Sequence, residues 1–102
     1  MIMRVTWGKI RAGKWDEYER LWREHAADTE SADGLRGRWL LRDTESPNAG
    51  YSLSLWDGPD DFETYAQSGA HKNVGLISDC FVGQYVTTVC EVRGTSGVAV
   101  KE

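Results

Sequence analysis

Hydrophobic and polar residues alternate at the start of the chain: Met3, Val5 and Trp7 fall on one side, Arg4, Thr6 and Gly8 on the other. A period of two is that of a strand with unlike faces, and it predicts β-structure from Ile2 to about Lys9. Ala12-Gly13 breaks the pattern. From about Lys14 to Thr29 the period changes, because Trp15, Tyr18, Trp22, Ala26 and Thr29 recur at spacings of three and four. That is the stripe of an amphipathic helix. Asp16 and Glu17 stand in its first turn, where the macrodipole favours acids. Asp16 with Arg20 and Glu19 with Arg23 are i,i+4 pairs with the acid on the N-terminal side. Ala32-Asp33-Gly34 ends the helix.

Alternation resumes from Leu35 to about Asp43, with Leu35, Trp39 and Leu41 opposed to Arg36, Arg38 and Arg42. A polar loop containing Ser46-Pro47-Asn48 and Gly50 follows. A third strand runs from Tyr51 to Trp56, and the short loop before it predicts an antiparallel hairpin. Asp57-Gly58-Pro59 opens a second helix, since proline suits the first helical position and Asp57 or Gly58 can cap it. Phe62, Tyr65 and Ala66 form its buried stripe. Gly69 interrupts it, and a short helical piece is expected from Ala70 to Ile77. The run from Cys80 to about Val92, rich in Val, Thr, Tyr and Phe, reads as one long last strand.

The order is β-α-β-β-α-β, an α+β ferredoxin-like fold with an antiparallel sheet. Residues 1–93 make the domain and residues 94–102 a small-residue tail. Two helices cover one face of such a sheet. The other face is expected to carry Trp56, Leu40 and apolar residues of the last strand. An uncovered apolar face meets a partner, and pairing of two copies gives a two-fold homodimer.

Composition narrows the partners. The chain has 102 residues, 40% of them hydrophobic and 27% charged, with a net charge of −4. That allows a single cored domain. No basic stripe is present, which argues against nucleic acid and anionic membrane surfaces. No run of about 18 apolar residues marks a membrane span. The N-terminal MIMRVTWGK is too short and polar for a signal peptide, so the cytoplasm is the expected compartment. Cys80 and Cys90, placed in one strand, would lie on the order of 33 Å apart. Both are therefore read as reduced packing residues, and no Cys–His group has zinc spacing.

The segment LSLWDGPDDFETYAQSGAHKN resembles the signature of the antibiotic-biosynthesis-monooxygenase family, through Trp56, Asp57, Tyr65, Ser68 and His71. Gly34-Leu35 opening the second strand and the start of the first helix agree with it. The resemblance spans roughly residues 2 to 93. It implies a dimeric α+β barrel with a pocket between sheet and helices in each subunit. It further implies oxidation of a phenolic or quinol-like aromatic by O₂, with no metal, flavin or other cofactor, the deprotonated substrate supplying the electrons. Ala70-His71-Lys72-Asn73-Val74 also resembles the stretch around the axial histidine of the heme-degrading branch. That branch has Asn in the first strand and Trp in the second helix, where this chain has Thr6 and Tyr65.

Within that frame His71 is the candidate base or hydrogen-bond donor, its ordinary pKa suiting either task at neutral pH. Tyr65 is the second candidate catalytic residue, able to hydrogen-bond a substrate oxygen. Trp7, Trp39 and Trp56 are candidate walls for a flat ligand, and Asn73 a candidate contact. Arg38 could also reach a ligand, although solvation is the plainer reading of both it and Asn73, and His25 reads as structural. No G-x-S-x-G, phosphate loop or H-E-x-x-H is present, which argues against hydrolases and NTPases. The alternatives are a dimeric barrel that binds a hydrophobic metabolite without changing it, and a heme-binding or heme-degrading protein.

Overall fold

The computed structural model describes residues 1–68 and 77–97. The expected helical piece over 70–77 therefore lies outside the described residues except for its last position. The elements are β1 (Ile2–Lys9), α1 (Trp15–Asp28), β2 (Leu35–Arg42), β3 (Ala49–Trp56), α2 (Pro59–Gln67) and β4 (Val86–Glu91). They form one antiparallel four-stranded sheet in the order β2-β3-β1-β4. This is the ferredoxin-like arrangement that the element order implied. Among the described residues no helix is long and apolar enough to cross a membrane.

Two boundaries differ from expectation, each for a local reason. β3 starts at Ala49, so Gly50 is in the strand and not in the loop. A side chain at Gly50 would come within 2.5 Å of the Trp15 ring, so the absence of a Cβ lets α1 settle on the sheet. The hairpin loop is closed earlier, where Asp43 Oδ1 accepts the backbone N–H groups of Glu45 and Ser46. β4 starts at Val86 and not at Cys80. Gly83, at φ +69°, turns the chain before it, and Cys80 and Phe81 pack inside with Ile10, Trp15 and Tyr18. Cys80 is buried and Cys90 exposed. On α1, Glu19 pairs with Arg23 at 2.8 Å as the spacing predicts, whereas Arg20 turns to Glu24 rather than Asp16.

The sheet faces are also reversed. The register sets Trp7 opposite Tyr51 and Val5 opposite Leu53 on β1 and β3, and Trp39 opposite Leu53 on β2. These residues share one face with Met3, Leu41 and Val86. The helices lie on the other face. Trp22 of α1 bonds Ser52, and Phe62 of α2 packs under Arg4 and against Trp56. Trp56 and Leu40 thus belong to the helix-covered face, not to the open one. The apolar side of the alternation is the open one, and Trp7, Leu41, Tyr51 and Val86 are each exposed by 37% or more.

Two aromatic groups separate the helices from the polar face. Trp15, Tyr18 and Phe81 stack edge to face at one end, with centroids 5.4 Å apart in each step. Trp56, Phe62 and Tyr65 cluster at the other, with centroids 5.2 to 5.9 Å apart. Burial of each such ring contributes on the order of 2 kcal/mol. The space between the two groups is the candidate site.

Candidate active site

The floor of this space is made by strand positions of one parity. Arg4 of β1 lies opposite Ser54 of β3, which lies opposite Arg38 of β2. In the next row Thr6 lies opposite Ser52 and also opposite Thr87 of β4. Two indoles hold the serines. Trp56 Nε1 donates to Ser54 Oγ and Trp22 Nε1 to Ser52 Oγ, each at 2.9 Å. The hydroxyls of Thr6 and Thr87 meet at 2.9 Å. Small hydroxylated residues leave room above the sheet, and their side chains remain able to bond an oxygen-bearing guest.

The helices supply the wall. His25 of α1 and Tyr65 of α2 meet across the cavity, with Nε2 and Oη 2.7 Å apart. Tyr65 is held on its other side by the rings of Trp56 and Phe62. The Arg38 guanidinium donates to the Thr29 hydroxyl at the end of α1 and lies 5.5 Å from the Tyr65 ring centre. The Arg4 guanidinium sits 3.8 Å above the Phe62 ring. Burial lowers the Arg4 pKa from its ordinary value, while the Tyr65 and Tyr85 hydroxyls oppose that shift. An arginine stays charged at neutral pH through such a shift. The Tyr18 hydroxyl, also at the cavity, is pushed up to about 12 by burial, with Cys80 adding to the effect.

The cavity has a volume of about 200 Å³. Its described lining contains two arginines and one histidine but no aspartate or glutamate. Chemically the arrangement offers flat aromatic walls, a His–Tyr pair that can exchange a proton, and two cations facing an oxygen-rich floor.

The expected site residues are distributed unevenly. Tyr65 is in the wall. Trp56 borders the cavity but is fully buried, its indole N–H committed to Ser54. Trp7 and Trp39 do not wall the cavity, because strand alternation turns them to the open face. His71 and Asn73 lie outside the described residues. Sequence reasoning passed over Arg4 and set aside His25 and Arg38. A signal for His25 was present, since it follows Tyr18 by seven positions and Trp22 by three, on the buried stripe of α1. Arg4 shares the parity of Thr6, and the matching parity of β3 holds Ser52 and Ser54. A polar face under helices is the mark of a pocket floor.

Structural likenesses are numerous and distant. SnoaB, a cofactor-independent oxygenase from Streptomyces nogalater, superposes with a TM-score of 0.80 at 19% identity, over 92% of this chain and 94% of its own. A conserved protein from Methanosarcina mazei gives a TM-score of 0.80 at 18% identity, over 86% and 88% of the two chains. Another structure, described as an antibiotic biosynthesis monooxygenase, gives 0.79 at 15% identity over 92% and 100%. At these identities the likeness is one of fold. No curated protein matches the chain in sequence. The family model described as antibiotic biosynthesis monooxygenase matches residues 1–74, from β1 through α2, and the chain belongs to that family.

Proposed function

We propose that this protein is a monooxygenase that oxidises a phenolic or quinol-like aromatic with O₂, the substrate supplying the electrons. The observation that carries this reading is the His25–Tyr65 pair at 2.7 Å in an aromatic-walled cavity with cations on its floor. The substrate ring lies among Trp22, Phe62 and Phe81. Its hydroxyl points at the pair, and Tyr65 takes the phenolic proton as it passes its own to His25, the imidazolium so formed stabilising the phenolate. The electron-rich anion reduces O₂ and forms a bond from a ring carbon to oxygen. Loss of water then leaves a new carbonyl. One oxygen atom enters the product, the other leaves as water, and all the electrons come from the ring.

The protein is further proposed to act as a cytoplasmic homodimer through the open apolar face, which includes Trp7, Leu41, Tyr51 and Val86. His71 remains a proposed base.

Oxygen uptake by the purified protein against a panel of quinols, anthrones and naphthols tests this reading. Uptake above autoxidation that falls in Tyr65→Phe and in His25→Gln supports it. The same assay on His71→Ala decides whether that residue takes part. Absence of uptake with every compound, together with saturable quenching of tryptophan fluorescence, assigns the cavity to binding without turnover.

A further inference from the structure

We propose that the substrate is an aromatic acid: besides the hydroxyl that reacts, it carries a permanent carboxylate, held between Arg4 and Arg38 above Ser54. This specifies the substrate class for the oxygenase reading and rests on it for the word substrate. The binding claim stands by itself.

The first argument is the cross-strand row. Arg4, Ser54 and Arg38 are register partners on adjacent strands, so the two arginine Cα atoms are separated by two strand spacings, roughly 10 Å. Both side chains rise from the same face into the same aromatic group. Arg4 lies 3.8 Å over Phe62, Arg38 lies 5.5 Å from Tyr65, and those two rings are 5.9 Å apart. Two like charges thus rise from the strands on either side of Ser54.

The second is the absence of a counter-charge among the described residues. Arg20, Arg23, Arg36 and Arg93 each pair with a carboxylate at the surface. Neither Arg4 nor Arg38 does so, and no acid is among the described residues lining the cavity, in a chain whose net charge is −4. Partly buried cations without an anion are costly, and an anionic guest removes the cost. The planar guanidinium fork suits a carboxylate in particular. Ser54 Oγ already accepts from Trp56, which leaves its proton for a carboxylate oxygen. The volume of about 200 Å³ is below that of pockets for drug-sized ligands and suits a small ring system.

The experiment is an anaerobic titration of tryptophan fluorescence with 2-naphthoate and, separately, 2-naphthol. The two share a ring and differ in charge at pH 7, and Trp22 and Trp56 border the cavity. The wild type is expected to bind naphthoate about tenfold or more tighter than naphthol. Arg4→Gln and Arg38→Gln should each abolish most of that preference while naphthol affinity stays within about twofold. Arg4→Lys and Arg38→Lys, which keep the charge, should retain part of it and show that loss in the Gln variants is not misfolding. Equal affinity for the two compounds, no binding of either, or Gln variants that weaken both alike would overturn the proposal. Naphthol binding and oxygen uptake without any preference for the acid would refute the carboxylate and leave the oxygenase reading intact. Naphthoate binding lost in the Gln variants, with no oxygen uptake from any ring, would do the reverse.

Discussion

The phenolic oxygen of Tyr65 and Nε2 of His25 are 2.7 Å apart, joining α2 to α1 across the cavity. Neither helix places its residue alone. Tyr65 is fixed by the Trp56 and Phe62 rings, and the turn after His25 is fixed by Thr29, whose hydroxyl donates to the His25 carbonyl at 2.7 Å. The contact therefore reports both the docking of the helices and the chemistry proposed between them.

Tyr65→Phe separates those two contributions. The ring contacts remain and the hydroxyl is lost. The expected thermal destabilisation is about 1 kcal/mol, the net value of a single hydrogen bond. Turnover should fall by about 10²-fold, the usual contribution of a positioned proton-transfer group. A calorimetric melt alongside steady-state oxygen uptake checks both. A melt that drops while the rate holds would make the contact structural only.

How much of this was legible in the sequence differs by level. Alternation and helical spacing placed all six elements, because period two and period 3.6 are set by backbone geometry. They also sorted Trp7 and Trp39 from Arg4 and Arg38. They did not say which set the helices cover. The usual expectation puts the apolar set under the helices, and here a polar floor lies there instead, since an open cavity replaces part of the core. The tryptophan walls were misplaced for that one reason. Cys80 was drawn into a strand by its β-prone neighbours, and only the turn at Gly83 and the packing of Phe81 on Tyr18 took it out.

Gly34 should be intolerant of a side chain. Its φ is +82°, a region that L-residues with a Cβ rarely adopt, and an added Cβ would lie 2.3 Å from Cγ of Asp61. Its carbonyl also accepts the Asp57 N–H at 2.8 Å, tying the start of β2 to the turn before α2. Gly34→Ala is expected to cost about 1–3 kcal/mol in chemical denaturation. Asp61→Gly in the same chain should restore part of that, since it removes the clash but not the backbone strain.

Alkaline pH should destabilise the fold through Tyr18. Burial raises its folded-state pKa to about 12, against about 10 in an unfolded chain. Below pH ~10 both states hold the proton, and the stabilisation from the buried neutral phenol is fully present. Between about pH 10 and 12 the unfolded state releases its proton while the folded state does not, so stability falls as pH rises. Ultraviolet titration of the tyrosines should show one component near 12 in the wild type and none there in Tyr18→Phe. The same variant should lose less stability than wild type between pH 9 and 12 (roughly the span from below the unfolded to the folded pKa).

The open sheet face makes a prediction about assembly. Trp7 is 37% exposed, so a charge there is tolerable in a lone protomer. Against a second apolar face the same charge would be buried without a partner, at a cost of several kcal/mol. Wild-type protein should therefore sediment as a dimer. Trp7→Glu should sediment as a monomer with a nearly unchanged far-ultraviolet spectrum. Dimers formed equally by both proteins would place the contact on another surface.

Thr29 links the two halves of the site, which gives the sharpest test of how Arg38 is held. It is 8% exposed, its hydroxyl donates to the carbonyl of His25 and accepts from Arg38 Nη1. Thr29→Val keeps the shape and the β-branch and removes both bonds. Loss of hydrogen bonds at a buried position should lower stability by about 1–3 kcal/mol. The more telling change is kinetic. Arg38 contacts the proposed carboxylate in ground state and transition state alike, so a loosened Arg38 should raise KM several-fold and leave kcat within about twofold. His25, held from its side chain by Tyr65, keeps its partner. Thr29→Ser retains the hydroxyl and should behave as wild type in KM. If Thr29→Val lowers kcat with KM unchanged, the hydroxyl acts through His25 and the proton-transfer pair, and Arg38 is set by the strand alone.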